Sequence, residues 1–121
     1  MKQCSDSLAY IAGGETVVHL TGHGKGGRNQ EIVLSAANEI AGLRGTAIFS
    51  VGSDGTDEPT DAAGGYCDGR TKELLEKEGI HIFEALSQND AYPALKKADG
   101  LIITGATGTN VNDVAVLLIK R

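Results

Sequence analysis

The sequence is poor in aromatic residues and lacks tryptophan. Among 121 residues there are three Tyr and two Phe, so a folded core must rely on Val, Ile, Leu and Ala. Glycine is abundant, with 17 residues, well above its usual share of about 7%. This composition favours an α/β domain with tight loops, and the length suits one domain with an ordinary core.

Other absences argue against whole classes of protein. The net charge is −5 and the basic residues are scattered, whereas nucleic acids need a concentrated basic face. No 18-residue apolar run exists, so we expect no membrane partner. The first six residues lack the apolar region of a secretory signal. Cys4 and Cys67 fit no metal-binding spacing, so we expect reduced thiols in a cytoplasmic protein.

The apolar pattern predicts strands that alternate with helices. Helical spacing begins at Asn29 and continues to Ile40, before Gly42. Further helices are predicted over 71–79 and 91–98, with residues 52–69 as a loop. Strands are predicted over 8–12, 16–20, 46–51, 80–83, 101–104 and 114–119. We therefore predict one domain, residues 1–121, with a layered α/β/α arrangement around a mixed β-sheet.

A glycine-rich loop precedes the first predicted helix. Residues 22–27 match G-x-G-x-x-G, which is typical of dinucleotide sites, and Asp54 could then bind the ribose. The helix start, Arg-Asn-Gln-Glu, is however unusually polar for such a site. Glycines and a helix N-terminus also suit a phosphate or carboxylate, which Lys25 and Arg28 would bind. The simplest alternative is a turn with solvated charges.

The next loop, 52–61, holds four carboxylates within eight residues. Carboxylates this close repel one another unless a cation or a donor lies between them. Magnesium carried by a nucleotide is compatible, because Mg²⁺ takes one or two carboxylates together with phosphates and waters. A solvated acidic turn is the alternative.

Two further polar loops follow. Asn89 and Asp90 precede a predicted helix and are ordinary capping residues. Residues 104–113 leave the carboxyl end of a predicted strand, where α/β domains usually bind ligands. Their hydroxyls, glycines and amides could donate to an anion, or could form a hairpin loop of local turns. The sequence lacks the Gly-Lys-Ser/Thr of a Walker P-loop.

Taken in order, these motifs resemble one family, the MOFRL domain. It forms the C-terminal part of glycerate 2-kinases, a group that has also been labelled hydroxypyruvate reductases. The resemblance extends over about residues 8–119. The matching segments are Gly13–Thr16, Gly24–Glu31, Ser53–Asp57 with Pro59–Gly64, Asn89–Tyr92 and Thr104–Asp113.

The resemblance implies phosphoryl transfer from ATP to the 2-hydroxyl of D-glycerate, with Mg²⁺, giving 2-phosphoglycerate. In the family the site lies in a cleft shared with a larger N-terminal domain that supplies a catalytic lysine. That domain is not in this sequence. We therefore expect it as a partner, in cis or as a separate chain, and expect the isolated domain to be inactive. A small hydroxy acid is the expected substrate, and a homo-oligomer is possible.

The site residues expected from the motifs fall into three groups. Arg28 is the expected catalytic residue, and Asp54 and Asp57 are expected to face the metal. The expected substrate- or phosphate-binding residues are Lys25, Gly26, Gly27, Asn29, Thr107, Gly108, Thr109, Asn110 and Asn112. The alternatives are an NAD(P)H-dependent hydroxypyruvate reductase domain and a non-catalytic anion-binding or assembly module.

Overall fold

Five strands and four helices build the domain in a computed structural model that describes residues 8–14, 25–55, 57, 60–108 and 113–120. The helices are α1 (Arg28–Glu39), α2 (Thr71–Lys77), α3 (Ile82–Ser87) and α4 (Ala91–Lys97). The strands are β1 (Leu8–Gly14), β2 (Thr46–Gly52), β3 (Gly64–Asp68), β4 (Leu101–Ile102) and β5 (Asp113–Ile119). The predicted α/β class is confirmed. The strand predicted over 16–20 lies outside the described residues.

The five strands form one sheet in the order β1-β5-β2-β3-β4. Every pairing between these strands is antiparallel, where a mixed sheet was expected. In this order the carboxyl ends of β1, β2 and β4 lie at the same edge as the amino end of β5. The loops that carry most of the polar motifs therefore leave or enter the sheet at that one edge.

The described helices pack together on one face of the sheet. Helix α1 lies against β2 and β3, and each of the other three helices contacts α1. Val33, Leu34 and Ala37 of α1 are fully buried and form the centre of the core. Gly65 of β3 packs closely there, because a Cβ atom at this position would lie 2.7 Å from Cδ1 of Leu95 and would force that side chain to shift. The expected α/β/α arrangement has helices on both faces; the described helices occupy one.

Three elements differ from the sequence-based expectation. Strand β3 lies inside the predicted loop 52–69. It was not predicted because its sequence, Gly-Gly-Tyr-Cys-Asp, lacks the β-branched residues that signal a strand. Residues 82–87 form helix α3 rather than a strand over 80–83, since a short apolar run does not distinguish the two periods. Strand β4 is two residues long, and Ile103 beyond it is exposed.

The buried thiol of Cys67 gives a direct test of this core. Burial, followed by the nearby Asp68 carboxylate, raises the pKa of Cys67 to about 12. Because the thiolate is the reactive form, a Cys4→Ser variant is expected to remain unlabelled by Ellman's reagent at pH 8 and to react fully after addition of guanidinium. Rapid labelling of the folded variant would contradict the placement of Cys67 in the core.

Candidate functional site

The loops after β2 and β4 meet at the common edge of the sheet. The Thr107 hydroxyl donates to the carbonyl oxygen of Ser53 at 2.5 Å, and the Thr107 amide donates to that of Asp54 at 3.3 Å. Gly55 has a positive φ, and a Cβ atom there would overlap the carbonyl oxygen of Gly105. The two loops thus form one surface, on which Asp54, Thr107 and Gly108 are exposed.

The carboxylate of Asp57 caps the N-terminus of α1 from inside the protein. It accepts the backbone amides of Asn29 at 3.0 Å and Gln30 at 2.9 Å, and the Asn29 side-chain amide at 3.1 Å. Asp57 is 1% exposed. Gly27 permits this approach, because any Cβ atom there would overlap the carboxylate. The positive end of the helix is therefore already neutralised by an internal anion.

This arrangement buries two of the expected site residues. Asn29 is fully buried, and its side-chain oxygen accepts a hydrogen bond from the Ser50 hydroxyl at 2.6 Å. Both oxygens of Asp57 accept hydrogen bonds from α1, so in this geometry the carboxylate caps the helix. The expected roles of Asn29 at the substrate and Asp57 at the metal stay predictions.

Arg28 is held by the first residue of β5. Its Nε and Nη2 atoms donate to the two carboxylate oxygens of Asp113 at 2.5 and 3.0 Å. The Arg28 side chain is 36% exposed, whereas that of Asp113 is 7% exposed. This two-point contact fixes the plane of the guanidinium. No local sequence pattern signals this pairing, because the two residues are 85 positions apart.

Lys25 and the backbone beside it are held by the loop that precedes α4. The Lys25 amide donates to Oδ1 of Asp90 at 2.9 Å, and its carbonyl accepts the Tyr92 amide at 2.8 Å. The Lys25 ammonium lies 4.0 Å from the centre of the Tyr92 ring, a favourable cation–π geometry. Asn89 donates to Oε1 of Glu31 at 2.6 Å. The Asp90 side chain makes no cap for α4; it holds the glycine loop instead.

Tyr92 also connects this loop to the acidic loop. Its hydroxyl donates to Oδ1 of Asp61 at 2.8 Å, and this hydrogen bond raises the pKa of Tyr92. The neighbouring Gly26 packs closely against Ala91, since a Cβ atom there would lie 3.0 Å from the Ala91 amide nitrogen. The glycine loop is thus supported by the first turn of α4, which Tyr92 in turn joins to Asp61.

The remaining predicted site residues are only partly described. Thr109, Asn110 and Asn112 lie outside the described residues, as do Gly22 and Gly24 of the dinucleotide-like pattern. Within the described ranges, no three His, Cys, Asp or Glu side chains are grouped closely enough to hold a metal ion. Asp54 is the predicted metal residue that remains exposed at the edge. In the same ranges, no helix combines the length and apolar character needed to traverse a membrane.

Fixed cations beside glycine and hydroxyl loops at one sheet edge define an α/β domain suited to binding a small anion. The chain belongs to the MOFRL family, which matches residues 8–113.

Two similar proteins are glycerate 2-kinases. The D-glycerate 2-kinase of Thermotoga maritima is 56% identical over 111 residues, which are 92% of this chain and 27% of the relative. The glycerate 2-kinase of Pyrococcus horikoshii is 48% identical over 113 residues, 93% of this chain and 26% of the relative. The crystal structure of the Thermotoga maritima glycerate kinase superposes with a TM-score of 0.90 over 92% of this chain and 27% of its own. The chain therefore spans about a quarter of the length of these relatives.

The cap formed by Asp57 is expected to contribute strongly to stability. Asp57→Asn removes the charge and turns an amide donor toward the α1 amides, so the free energy of unfolding should fall by about 3 kcal/mol. Urea denaturation followed by circular dichroism measures the change.

Asp99→Asn is the matched control. Asp99 is exposed and has a positive φ, which Asn tolerates well, so this change should alter stability by less than about 0.5 kcal/mol. Equal stabilities of the two variants would contradict the capping role of Asp57.

Proposed function

We propose that this chain forms one wall of a glycerate 2-kinase active site. The reaction transfers a phosphoryl group from ATP to the 2-hydroxyl of D-glycerate, in a cleft completed by an N-terminal kinase domain. The observation that carries the proposal is the oriented, partly exposed side chain of Arg28 at the edge where the loops after β2 and β4 meet. The names of the similar proteins support the same reaction.

Arg28 provides oriented positive charge. Phosphoryl transfer depends mainly on positioning and charge stabilisation rather than on covalent chemistry by the protein. Because Asp113 fixes the guanidinium plane, Arg28 loses little side-chain entropy when it binds the glycerate carboxylate or a phosphate oxygen. Asp113 is therefore a positioning residue for Arg28.

Lys25 is the second cation of the site. It is exposed, and its ammonium lies over the Tyr92 ring, so its position is restrained while its charge remains accessible. The α1 amides of Asn29 and Gln30 are bonded to Asp57, and Gly27 is buried against the same carboxylate. The anion would therefore be bound by side-chain cations and by the backbone of Gly26.

The loop after β4 would form the other side of the cleft. Thr107 and Gly108 are exposed there, and Thr109, Asn110 and Asn112 follow them in sequence as donors for the substrate or phosphates. Asp54, exposed on the adjoining loop, fits the ligand preference of Mg²⁺ for one or two carboxylates with phosphates and waters. Mg²⁺ would supply neutralisation of the transferred group's charge.

Turnover would require a second domain. The N-terminal domain would be joined in cis or supplied as a separate chain, and without it the present domain would not turn over substrate. The protein would act in the cytoplasm on a small hydroxy acid.

A chimera tests the function directly. In it, this chain replaces the matched quarter of the Thermotoga maritima D-glycerate 2-kinase, and ADP release is measured with D-glycerate, ATP and Mg²⁺. Turnover is expected. Arg28→Ala should lower kcat/KM by about a hundredfold or more, as when a preorganised charge donor is removed. The kcat/KM of Arg28→Lys should be little higher than that of Arg28→Ala, because Lys lacks the planar guanidinium fork.

Lys97→Ala is the control, since it removes an exposed cation from α4 and should leave the rate unchanged. Undiminished activity of Arg28→Ala would overturn the assignment of Arg28. Oxidation of NAD(P)H with hydroxypyruvate, without ATP consumption, would show that the chimera is a reductase and not a kinase. A folded chimera with neither activity would indicate that this chain is a non-catalytic binding module.

The positioning role of Asp113 predicts non-additive kinetics. Asp113→Asn should lower kcat/KM of the chimera by about tenfold through Arg28, and should cause little further loss in an Arg28→Ala background, because residues that act as a unit are not additive. Additive losses in this double-mutant cycle would show that Asp113 acts independently of Arg28.

A further inference from the structure

The face of the sheet opposite the described helices also carries a row of apolar side chains. Ser50 bonds to Asn29 of α1, so its neighbours in β2 point to the other side. Phe49 pairs with Val116 and Tyr66, and Val116 pairs with Ile11. This row, Ile11–Val116–Phe49–Tyr66, together with Val51 and Leu118, is called the open face below.

The pattern of the open face is not that of a solvated sheet surface. An antiparallel sheet with one wet face normally alternates apolar residues inward with polar residues outward. Strand β2 does not alternate in this way, because Phe49 and Val51 lie on the open face while Ile48, next to Ser50 on the α1 side, is also apolar. Ile11 is 74% exposed, Leu118 40% and Tyr66 38%. Val116, between Ile11 and Phe49, is 8% exposed, and Phe49 is half-buried. Several exposed apolar side chains on one face of a sheet mark an interaction site.

A cavity at one end of the open face adds a charge preference. It measures about 790 Å³ and includes Tyr66 and Leu118 in its lining, with the exposed basic residues Arg44, Arg70 and Lys120. Of the two acids in the lining, Asp68 already accepts the Tyr66 hydroxyl and the Arg70 amide. The covering surface should therefore be apolar, with acidic side chains at this end.

We propose that the open face is the docking surface for the N-terminal kinase domain. This inference rests on the proposed function, which requires such a domain. About three-quarters of the length of each similar glycerate 2-kinase lies outside the region matched by this chain. Docking there would give the sheet a second covering layer and bring the partner up to the edge that carries Arg28.

Cysteine accessibility tests the docking surface without relying on catalysis. Ile11→Cys places a thiol on the open face, and Phe83→Cys places one on α3, where Phe83 is 70% exposed. Both are made in a Cys4→Ser background, in which Cys67 is buried. Maleimide labelling rates are measured for the chain alone and for the chimera with the Thermotoga maritima enzyme.

Joining the partner is expected to slow labelling at Ile11→Cys by about tenfold or more, because thiol reactivity requires access. Labelling at Phe83→Cys should be equal in both proteins. Slower labelling of Ile11→Cys in an inactive chimera would support the docking surface and would contradict the proposed kinase activity. Unprotected Ile11→Cys, in an active or inactive chimera, would overturn the docking surface. Concentration-dependent protection in the chain alone would identify a second copy as the occupant and would also overturn it.

Discussion

The carboxylate of Asp57 at the N-terminus of α1 is the interaction on which the rest of the site depends. It occupies the place where a helix would otherwise bind an external anion, and it requires glycine at position 27. Through Asn29 the same carboxylate is linked to Ser50 of β2. The start of α1 is consequently fixed to the sheet, and Arg28 leaves it in a defined direction toward Asp113.

This constraint explains the unusual polarity of the helix start. Asn29 and Gln30 are buried because they bond inside the protein, to Asp57, Ser50 and Thr60. In the proposed site, anion binding would then depend on Arg28 and Lys25, which are oriented by Asp113 of β5 and Tyr92 of α4. Such a site would select by side-chain geometry rather than by the helix dipole, which suits a reaction whose catalysis is largely positioning.

Much of the fold could be predicted from the sequence, whereas the contacts of the site could not. Helix α1 and strands β2 and β5 have strong periodic or continuous apolar patterns, and the family was evident from its ordered motifs. Strand β3 was missed because its glycines, which pack against the Ser50 backbone and Leu95, have low strand propensity. The roles of Asp57, Asp90 and Asp113 arise from contacts across 28 to 85 residues, which local patterns do not encode.

The apolar strands predict burial on both faces, and the described helices cover one, so the domain and its proposed partner are best understood together. The most direct test of the central claim is a crystal structure of the chimera with D-glycerate, Mg²⁺ and a non-hydrolysable ATP analogue. The account predicts a ligand carboxylate or phosphate oxygen within about 3 Å of the Arg28 guanidinium, with the Arg28–Asp113 pair intact. A ligand bound in the cleft but away from the edge formed by Lys25 and Arg28 would contradict it.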